Sequence, residues 1–470
     1  MPFIYQERLR ETMCTLDYPL FPEQPVAPNI KTRLPGPNAK ALTSRDIKVT
    51  SPSYTRDYPL VVDRAIGSVI TDPDGNQFLD MTAGIAVTAT GHSHPYVVDA
   101  IRRQAECCLH MSGTDFYYET QIELAERLVR TAPMKGKNRI FFTNSGAESI
   151  EAALKLARYH TGRQHVIAFI GAFHGRTYGA MSLGASKVIQ SQGFKPLVPQ
   201  ISHVDYPNPY RPVGHEMNVT DHTMHEIDTV FRHKVSPNEV AAIFVEAIQG
   251  EGGYIVPPDD FLPRLRELCS RHGIMLVCDE VQSGMGRTGK MWCIEHSDVQ
   301  PDMITCAKGI ASGLPLGALI ARKEVMNWPY GSHASTFGGN PVSCAASLAT
   351  LDLLEAGLIR NAKTVGQFLL KKLHSLYDEF SVIGHVRGRG LMAAIEFVKD
   401  RQSREPYPEF RNKVVQHCFQ RGLLVLGCGE SAIRFCPALT VSEQQISTAI
   451  DIVRSSILSV HHKNRGAKAA

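Results

Sequence analysis

A short apolar run that ends in two acids decides the fold class of this chain: Ile274-Met275-Leu276-Val277-Cys278-Asp279-Glu280. Continuous apolar runs of this length are typical of strands that are buried on both faces, as in parallel sheets. A similar run, Met303-Ile304-Thr305-Cys306-Ala307, leads directly into Lys308. Because ligands bind at the carboxyl ends of parallel strands, Asp279 and Lys308 are candidate site residues.

The same pattern recurs along the middle of the chain. Other apolar runs lie at 139–143, 165–170, 240–245 and 316–320. Helical patterns join them, and the helical face after the first run carries Ile150, Ala153, Leu154 and Ala157. This alternation predicts an α/β fold with a mostly parallel sheet that helices cover on both faces.

The two ends of the chain have different patterns. Residues 14–60 are rich in proline and predict an extended arm. After Pro341, the runs 382–386 and 391–398 flank Gly388-Arg389-Gly390 and predict a hairpin. A second strand pair is expected at 423–426 and 432–436, with a closing helix at 442–460. These elements predict a smaller α+β module.

The composition excludes several classes of protein. Of 470 residues, 43% are hydrophobic and 20% are charged, which is typical of a folded chain. The net charge of +4 gives no electrostatic reason to expect nucleic acid or an anionic membrane as a partner. The sequence contains no run of about 18 apolar residues, so it predicts no membrane span. The 11 scattered cysteines and the lack of a signal pattern at the N-terminus predict a cytoplasmic protein.

The residues that follow the other strands supply complementary chemical groups. Ser145-Gly146-Ala147 opens a helix, where free N–H groups favour a phosphate. Phe173-His174 offers an aromatic face, and Glu246 ends a further strand. With the acid Asp279 and the amine Lys308, this set matches pyridoxal phosphate, which has a phosphate, a flat ring, a ring nitrogen and an aldehyde.

Each of these residues also has a purely structural explanation. Ser145 could be an ordinary N-cap, with Glu148 completing a capping box. Asp279 could accept backbone hydrogen bonds in a loop, and Lys308 could extend its ammonium group into solvent. A buried strand that ends in lysine is nevertheless unusual. The acid at the end of the preceding strand favours a chemical role for Lys308.

Two further motifs point to other chemistry and are set aside. Gly284-Met285-Gly286-Arg287-Thr288-Gly289 matches the glycine pattern of dinucleotide-binding folds, but residues 290–301 are too few for the required crossover helix. His222 and His225, with His215 nearby, could suggest a metal site. No acid or cysteine completes a ligand set in the sequence, so we expect no metal.

The ordered motifs resemble those of the class-III aminotransferases, the 4-aminobutyrate and ornithine type. The resemblance extends from about Tyr58 to Ile452. The matching segments include Asp80-Met81-Thr82-Ala83-Gly84-Ile85-Ala86-Val87, Asn144-Ser145-Gly146-Ala147-Glu148, Gly171-Ala172-Phe173-His174-Gly175-Arg176-Thr177, Gln249-Gly250-Glu251-Gly252-Gly253, Asp279-Glu280-Val281-Gln282, Lys308-Gly309 and Ser335-Thr336-Phe337-Gly338-Gly339-Asn340-Pro341. Arg176 and residues 427–434 are similar to a subgroup that also holds broad-specificity amino-acid racemases.

The resemblance implies the type-I fold of PLP-dependent transferases. Residues 90–344 would form the large PLP-binding domain. Residues 1–89 would supply an N-terminal arm and part of a small domain, and residues 345–470 would supply the rest of that domain. The resemblance also implies a homodimer or a higher even oligomer.

The resemblance assigns roles around the cofactor. Lys308 would hold it as a Schiff base and Asp279 would pair with the ring nitrogen, which makes these two the catalytic residues. Gln282 would bind the ring hydroxyl, and Phe173 would stack on the ring. The other expected cofactor contacts are Ser145, Gly146, Ala147, His174, Glu246 and, across a dimer interface, Thr336.

The resemblance also assigns the substrate contacts. Arg434 would bind a substrate carboxylate, and Glu251 would be its switchable partner. Arg176 is similar to the arginine that takes the carboxylate of an ω-amino acid, and Ile85 would line the pocket. The expected activity is transfer of an amino group from an ω-amino or α-amino acid to a 2-oxo acid such as 2-oxoglutarate.

Two alternatives remain at the level of the sequence. An amino-acid racemase would use the same cofactor and the same lysine. The second alternative is a protein with this fold and no catalytic activity. The presence of both Lys308 and Asp279 argues against that alternative.

Overall fold

Three sheets organise the protein, which the computed structural model describes over residues 18–213 and 217–466. The strands are β1 (Arg64–Ile66), β2 (Val69–Thr71), β3 (Gln77–Asp80), β4 (Asn138–Thr143), β5 (His165–Phe169), β6 (Ile201–Val204), β7 (Val240–Glu246), β8 (Met275–Asp279), β9 (Met303–Cys306), β10 (Gly317–Arg322), β11 (Ile383–Arg389), β12 (Met392–Phe397), β13 (Leu423–Leu424), β14 (Leu426–Cys428) and β15 (Ala432–Phe435).

Helices connect and cover these strands. The α-helices of six residues or more are α1 (Pro37–Val49), α2 (Pro95–Cys107), α3 (Glu119–Thr131), α4 (Gly146–Thr161), α5 (Tyr178–Leu183), α6 (Val219–His233), α7 (Phe261–His272), α8 (Pro341–Leu353), α9 (Ile359–Glu379), α10 (Pro408–Gln420) and α11 (Glu443–Gly466). A π-helical turn, Leu354–Leu358, joins α8 to α9.

The largest sheet has seven strands in the order β4-β10-β9-β8-β7-β5-β6. Its strands from β6 to β9 are parallel, whereas β10 is antiparallel to both of its neighbours, β9 and β4. The prediction of a mostly parallel sheet is confirmed. Strand β6 was not predicted, because only two of its four residues are buried and its apolar pattern is short.

Helix α4 shows how the sheet is covered. Its predicted apolar face is buried, with Ile150, Ala153, Leu154 and Ala157 all at most 4% exposed. The helix ends at Gly162, whose φ of +67° is the left-handed conformation that favours glycine at a helix end. Packing of this helix against the sheet brings its N-terminus to the edge where β8 and β9 end.

Two four-stranded sheets, β1-β2-β3-β13 and β11-β12-β15-β14, lie outside the large one. The predicted hairpin is confirmed as β11 and β12, which are antiparallel. The second predicted pair is only partly correct. Strand β14 pairs with β15, but β13 pairs in parallel with β3. The chain passes from one sheet to another at Val425. The local sequence does not encode which distant strand pairs with β13 and which pairs with β14.

The prediction of an extended arm over residues 14–60 is wrong for one part. Helix α1 occupies Pro37–Val49, with Pro37 at its first turn, where a missing N–H has no cost. The Asp74 carboxylate accepts hydrogen bonds from the backbone of Asn38 and Ala39 at 2.9 Å each. This cap comes from a distant loop, so the sequence of the segment alone does not reveal it. Residues 14–17 lie outside the described residues, and the division of domains at 89/90 and 344/345 stays a prediction.

One described helical stretch, Pro341–Glu379, has the length and apolar composition of a membrane span. Most of its apolar window (61%) is buried inside the fold, as in a core helix. The ten cysteines among the described residues are free thiols, and eight of them are buried.

Candidate active site

A cavity of about 430 Å³ opens at the carboxyl ends of the parallel strands. Its size lies within the range of small-molecule sites. It brings together residues that are up to 229 positions apart in sequence, from Val87 to Leu316. The predicted site residues that line it are Ser145, Gly146, Ala147, Phe173, His174, Arg176, Glu246, Asp279, Gln282 and Lys308.

Asp279 is buried at the end of β8 and held by three groups. Its Oδ1 accepts hydrogen bonds from the Val281 N–H (2.9 Å) and the Thr305 hydroxyl (3.3 Å). Its Oδ2 lies 2.7 Å from Nδ1 of His174. Burial acts to lower the pKa of His174, but the hydrogen bond and the charge of Asp279 outweigh it, and the net shift is upward. His174 therefore contacts Asp279, and its direct contact with the cofactor stays a prediction.

Lys308 lies two residues after the end of β9 and adopts a φ of +48°. A residue other than glycine is strained in this left-handed region, and such strain is concentrated at functional sites. Burial of the ammonium group lowers the pKa of Lys308, although the charges of Asp279 and Glu251 act in the opposite direction. A lysine with a lowered pKa supplies a neutral amine, which is the nucleophilic form.

The N-terminus of α4 lines one side of the cavity. The Ser145 side chain caps the helix by accepting a hydrogen bond from the Glu148 N–H at 3.2 Å. The capping explanation is thus correct for Ser145, whereas the Glu148 carboxylate reaches Asn144 instead of completing a capping box. A Cβ at Gly146 would lie 2.8 Å from a methyl group of Val281, so the close approach requires glycine here.

Glu246 and Gln282 are buried in the cavity wall. The Glu246 carboxylate accepts hydrogen bonds from the backbone of Gly250 (3.1 Å) and Phe173 (3.3 Å), and burial raises its pKa to about 7. It therefore joins two loops of the site. The Gln282 side chain accepts a hydrogen bond from the Tyr254 hydroxyl at 2.9 Å, which orients its amide group.

Arg434 and Glu251 form an ion pair that does not line the cavity but lies close enough to Lys308 for both charges to act on the pKa of Lys308. Burial lowers the pKa of Arg434, and the nearby Glu251 carboxylate more than reverses this effect. In Glu251, burial raises the pKa and the charge of Arg434 lowers it further than burial raises it. Nε of Arg434 is buried and has no hydrogen-bond partner among the described residues. An anion that approached Arg434 would find this donor available.

Three predicted residues are exposed in the single chain. Arg176 lines the cavity, with its guanidinium carbon 5.6 Å from the centre of the Phe173 ring. Ile85 and Thr336 do not line the cavity. Val87, which was not predicted, lines it in the segment that contains Ile85.

The sequence prediction also missed Val281 and Lys187, which lie near the site. Val281 lines the cavity and packs on Gly146, and its position two residues after Asp279 was a signal for it. Lys187 lies 4.0 Å from the Glu251 carboxylate. No motif marks it, because its neighbour is 64 positions further along the chain.

The expectation about metal ligands needs a correction. Asp205 and Glu226 lie beside His222, and the ligand atoms of the three residues are all within 4.8 Å of one another. Acids thus do reach His222, one of them from a distant strand end. Hydrogen bonds within the cluster explain why these three side chains lie together. The Asp205 N–H donates to Glu226, and the Asp205 carboxylate lies 3.2 Å from His222. His215 lies outside the described residues.

Comparison with known proteins identifies the family. The chain matches the family described as "Aminotransferase class-III" over residues 50–457. The chain belongs to the class-III aminotransferase family. It is 39% identical to an alanine/serine racemase of Pyrococcus horikoshii over 444 residues, 92% of each chain. It is 40% identical to a 4-aminobutyrate aminotransferase of Mycobacterium leprae, over 90% of this chain and 96% of that one.

A solved transaminase structure has the same fold. The amine transaminase from an uncultivated Pseudomonas species, in its PLP-bound form, superposes with a TM-score of 0.81. It is 31% identical, and the match covers 88% of this chain and 98% of that one. The predicted type-I fold and the prediction of pyridoxal phosphate as cofactor are confirmed.

The cavity of this class-III protein fits pyridoxal phosphate by its own chemistry. A helix N-terminus whose first residue must be glycine suits a phosphate. The buried carboxylate of Asp279 suits a protonated ring nitrogen, and the strained Lys308 suits an aldehyde. These groups converge on one space of about 430 Å³.

Proposed function

We propose that this protein is an aminotransferase that moves the amino group of an ω-amino acid of the 4-aminobutyrate type, or of an α-amino acid, to a 2-oxo acid such as 2-oxoglutarate. The observation that carries the proposal is the ion pair that Glu251 forms with the buried Arg434 near Lys308. An aminotransferase of this type must accept substrates with and without an α-carboxylate in the same site. A guanidinium whose carboxylate partner can move away meets both needs.

The two arginines divide the substrate carboxylates. Arg434 binds the α-carboxylate of glutamate or 2-oxoglutarate after Glu251 moves away. Arg176 binds the carboxylate of the ω-amino donor, for which Glu251 stays on Arg434. The exposure of Arg176 at the cavity supports this role, because its side chain is free to turn toward a substrate. A pocket-lining role for Ile85 stays a prediction, since Ile85 does not line the cavity of the single chain.

The catalytic pair acts on the amino substrate. Bound pyridoxal phosphate supplies an aldehyde for amino groups and a ring that accepts electrons. Lys308 removes the α-proton and returns a proton, a task that suits an amine with a lowered pKa. Asp279 holds a proton on the ring nitrogen. Phe173 covers the ring, Gln282 binds its hydroxyl, and Gly146 and Ala147 bind the phosphate with Ser145.

Racemisation is the second candidate, since a relative that is 39% identical is an alanine/serine racemase. A racemase must return the proton from the opposite face of the substrate. The other titratable residues described in the cavity wall are committed elsewhere: Asp279 and His174 contact each other, and Glu246 binds two backbone N–H groups. Arg176 is too basic to act as an acid. This supports transamination.

The test is an incubation of the holoenzyme with single amino acids, including 4-aminobutyrate and L-alanine. Without an oxo acid, the aminotransferase stops after about one oxo product per site. With 2-oxoglutarate, it forms glutamate continuously. Continued loss of optical rotation from L-alanine without any oxo acid would instead establish racemisation. Lys308→Ala is the control, because neither reaction proceeds without this amine.

The working form we propose is a cytoplasmic homodimer. Several large apolar side chains are exposed on the single chain near the loop of Thr336. Phe337 is 60% exposed, Leu109 66% and Tyr117 95%. A symmetric pairing of two chains would bury such a surface on both. Thr336 would then reach the phosphate in the partner's site.

A further inference from the structure

Lys187 is a cation near the site, and the proposed function gives it no role. Its Nζ lies 4.0 Å from Oε2 of Glu251, while Oε1 of the same carboxylate contacts Arg434. Glu251 thus lies between two cations. They differ in environment, since the Arg434 side chain is 6% exposed and the Lys187 side chain is 45% exposed.

Movement of Glu251 away from Arg434 raises a problem of charge. The Glu251 side chain is only 16% exposed, so most of it is shielded from water. Burial alone raises the pKa of this carboxyl group, and the charges of Arg434, Lys187 and Lys308, in that order, lower it. A carboxylate that loses a buried cationic partner is destabilised unless another cation is within reach. Lys187 is already within reach.

We propose that Lys187 is the positioning residue that receives the Glu251 carboxylate when the α-carboxylate of a substrate binds Arg434. The inference rests on the proposed function, and it deepens it by naming the residue that permits the change between substrates. Oε2 needs to move only a short distance to form a closer pair with Nζ. The long stem and the partial exposure of Lys187 allow it to follow the carboxylate.

The proposal has a consequence for substrate preference. Lys187 stabilises the arrangement in which Arg434 is free, so it favours substrates that carry an α-carboxylate. It has less effect on ω-amino donors, for which Glu251 stays on Arg434. Loss of the charge at position 187 should therefore weaken binding of dicarboxylates more than binding of monocarboxylates.

The experiment measures binding of two unreactive probes to the holoenzyme by calorimetry. Glutarate carries two carboxylates, and pentanoate is its analogue with one. In Lys187→Met the Kd of glutarate should rise about two- to fivefold, as expected for a partly exposed ion pair, and the Kd of pentanoate should change less. Lys187→Arg should restore glutarate binding. Lys371→Met removes an exposed lysine from α9 and is the matched control.

A second comparison tests whether Lys187 acts through Glu251. In a Glu251→Gln background the uncharged side chain needs no cation, so Lys187→Met should have no further effect on glutarate. Equal effects of Lys187→Met on both probes, or the same effect in both backgrounds, would overturn the inference and leave the proposed function standing. Failure of the wild-type protein to bind glutarate would overturn both.

Discussion

His174 Nδ1 lies 2.7 Å from Oδ2 of Asp279, and both side chains are buried at the base of the cavity. The other carboxylate oxygen accepts hydrogen bonds from Val281 and Thr305. The carboxylate therefore has a fixed orientation before any ligand binds. A preoriented, ionised group stabilises a developing charge without the cost of reorganisation.

We expect Asp279→Asn to lower kcat by several orders of magnitude. The amide is neutral and cannot keep the ring nitrogen protonated, so the substrate carbanion is no longer stabilised. Single-turnover absorbance changes of the cofactor measure the effect. A loss below about tenfold, roughly 1.4 kcal/mol, would show that Asp279 does not contact the ring.

We expect His174→Phe to reduce kcat about ten- to a hundredfold, the cost of losing one charge-assisted hydrogen bond to a buried carboxylate. His174→Asn is the matched variant, since its amide nitrogen can donate from a position close to that of Nδ1, and it should lose less. Because His174 acts through Asp279, the pH dependence of the cofactor absorbance should shift in the Phe variant. An unchanged absorbance profile would mean that His174 has only a packing role.

We expect Glu251→Ala to harm the half-reaction of an ω-amino donor more than that of glutamate. Without Glu251, the buried Arg434 lacks a counter-charge when the donor has no α-carboxylate. Pre-steady-state rates of the two half-reactions measure the difference. Equal losses would refute the proposed exchange of partners at Arg434.

The buried Glu280 gives a prediction for stability and pH. Burial raises its pKa from 4.5 to about 7, so the folded protein keeps a proton that the unfolded chain releases. The free energy of unfolding should thus fall as the pH rises from about 4.5 to 7, and the loss from this group should reach about 3 kcal/mol.

Glu280→Gln should lack this loss, so the gap between the variant and the wild type should move in favour of the variant as the pH rises. Urea unfolding of the holoenzymes at pH 5 and pH 8 measures the gap. Glu267→Gln, an exposed position, is the control. A gap that is the same at both pH values would show that Glu280 is ionised in the folded state throughout this range.

We expect the active protein to be a homodimer that Phe337→Glu dissociates, because a charge would be buried in the exposed apolar surface that we assign to the interface. Light scattering gives the mass, and Leu458→Glu, on α11, is the control at an exposed apolar position. Thr336→Ala should weaken cofactor binding about tenfold without dissociation, from the loss of one hydrogen bond to a phosphate. Full activity of a demonstrated monomer would contradict the dimer.

The sequence by itself determined the parts of this protein that depend on neighbours along the chain. The apolar runs predicted β8 and β9 to within two residues, and the spacing of Ile150, Ala153, Leu154 and Ala157 predicted the buried face of α4. Periodicity carries this information because a strand or helix that packs on a core must repeat its apolar residues at its own geometric period. The residue types at the strand ends predicted a pyridoxal phosphate site, because ligands bind at the carboxyl ends of parallel strands.

Only the tertiary structure decided which distant groups meet. It supplied Asp74 as the cap of α1, paired β13 with β3, and set β10 antiparallel to its neighbours. It also placed His174 on Asp279 and Lys187 beside Glu251. These partners are separated by tens or hundreds of residues. Their contacts follow from how whole layers pack against one another, and no local pattern records that packing.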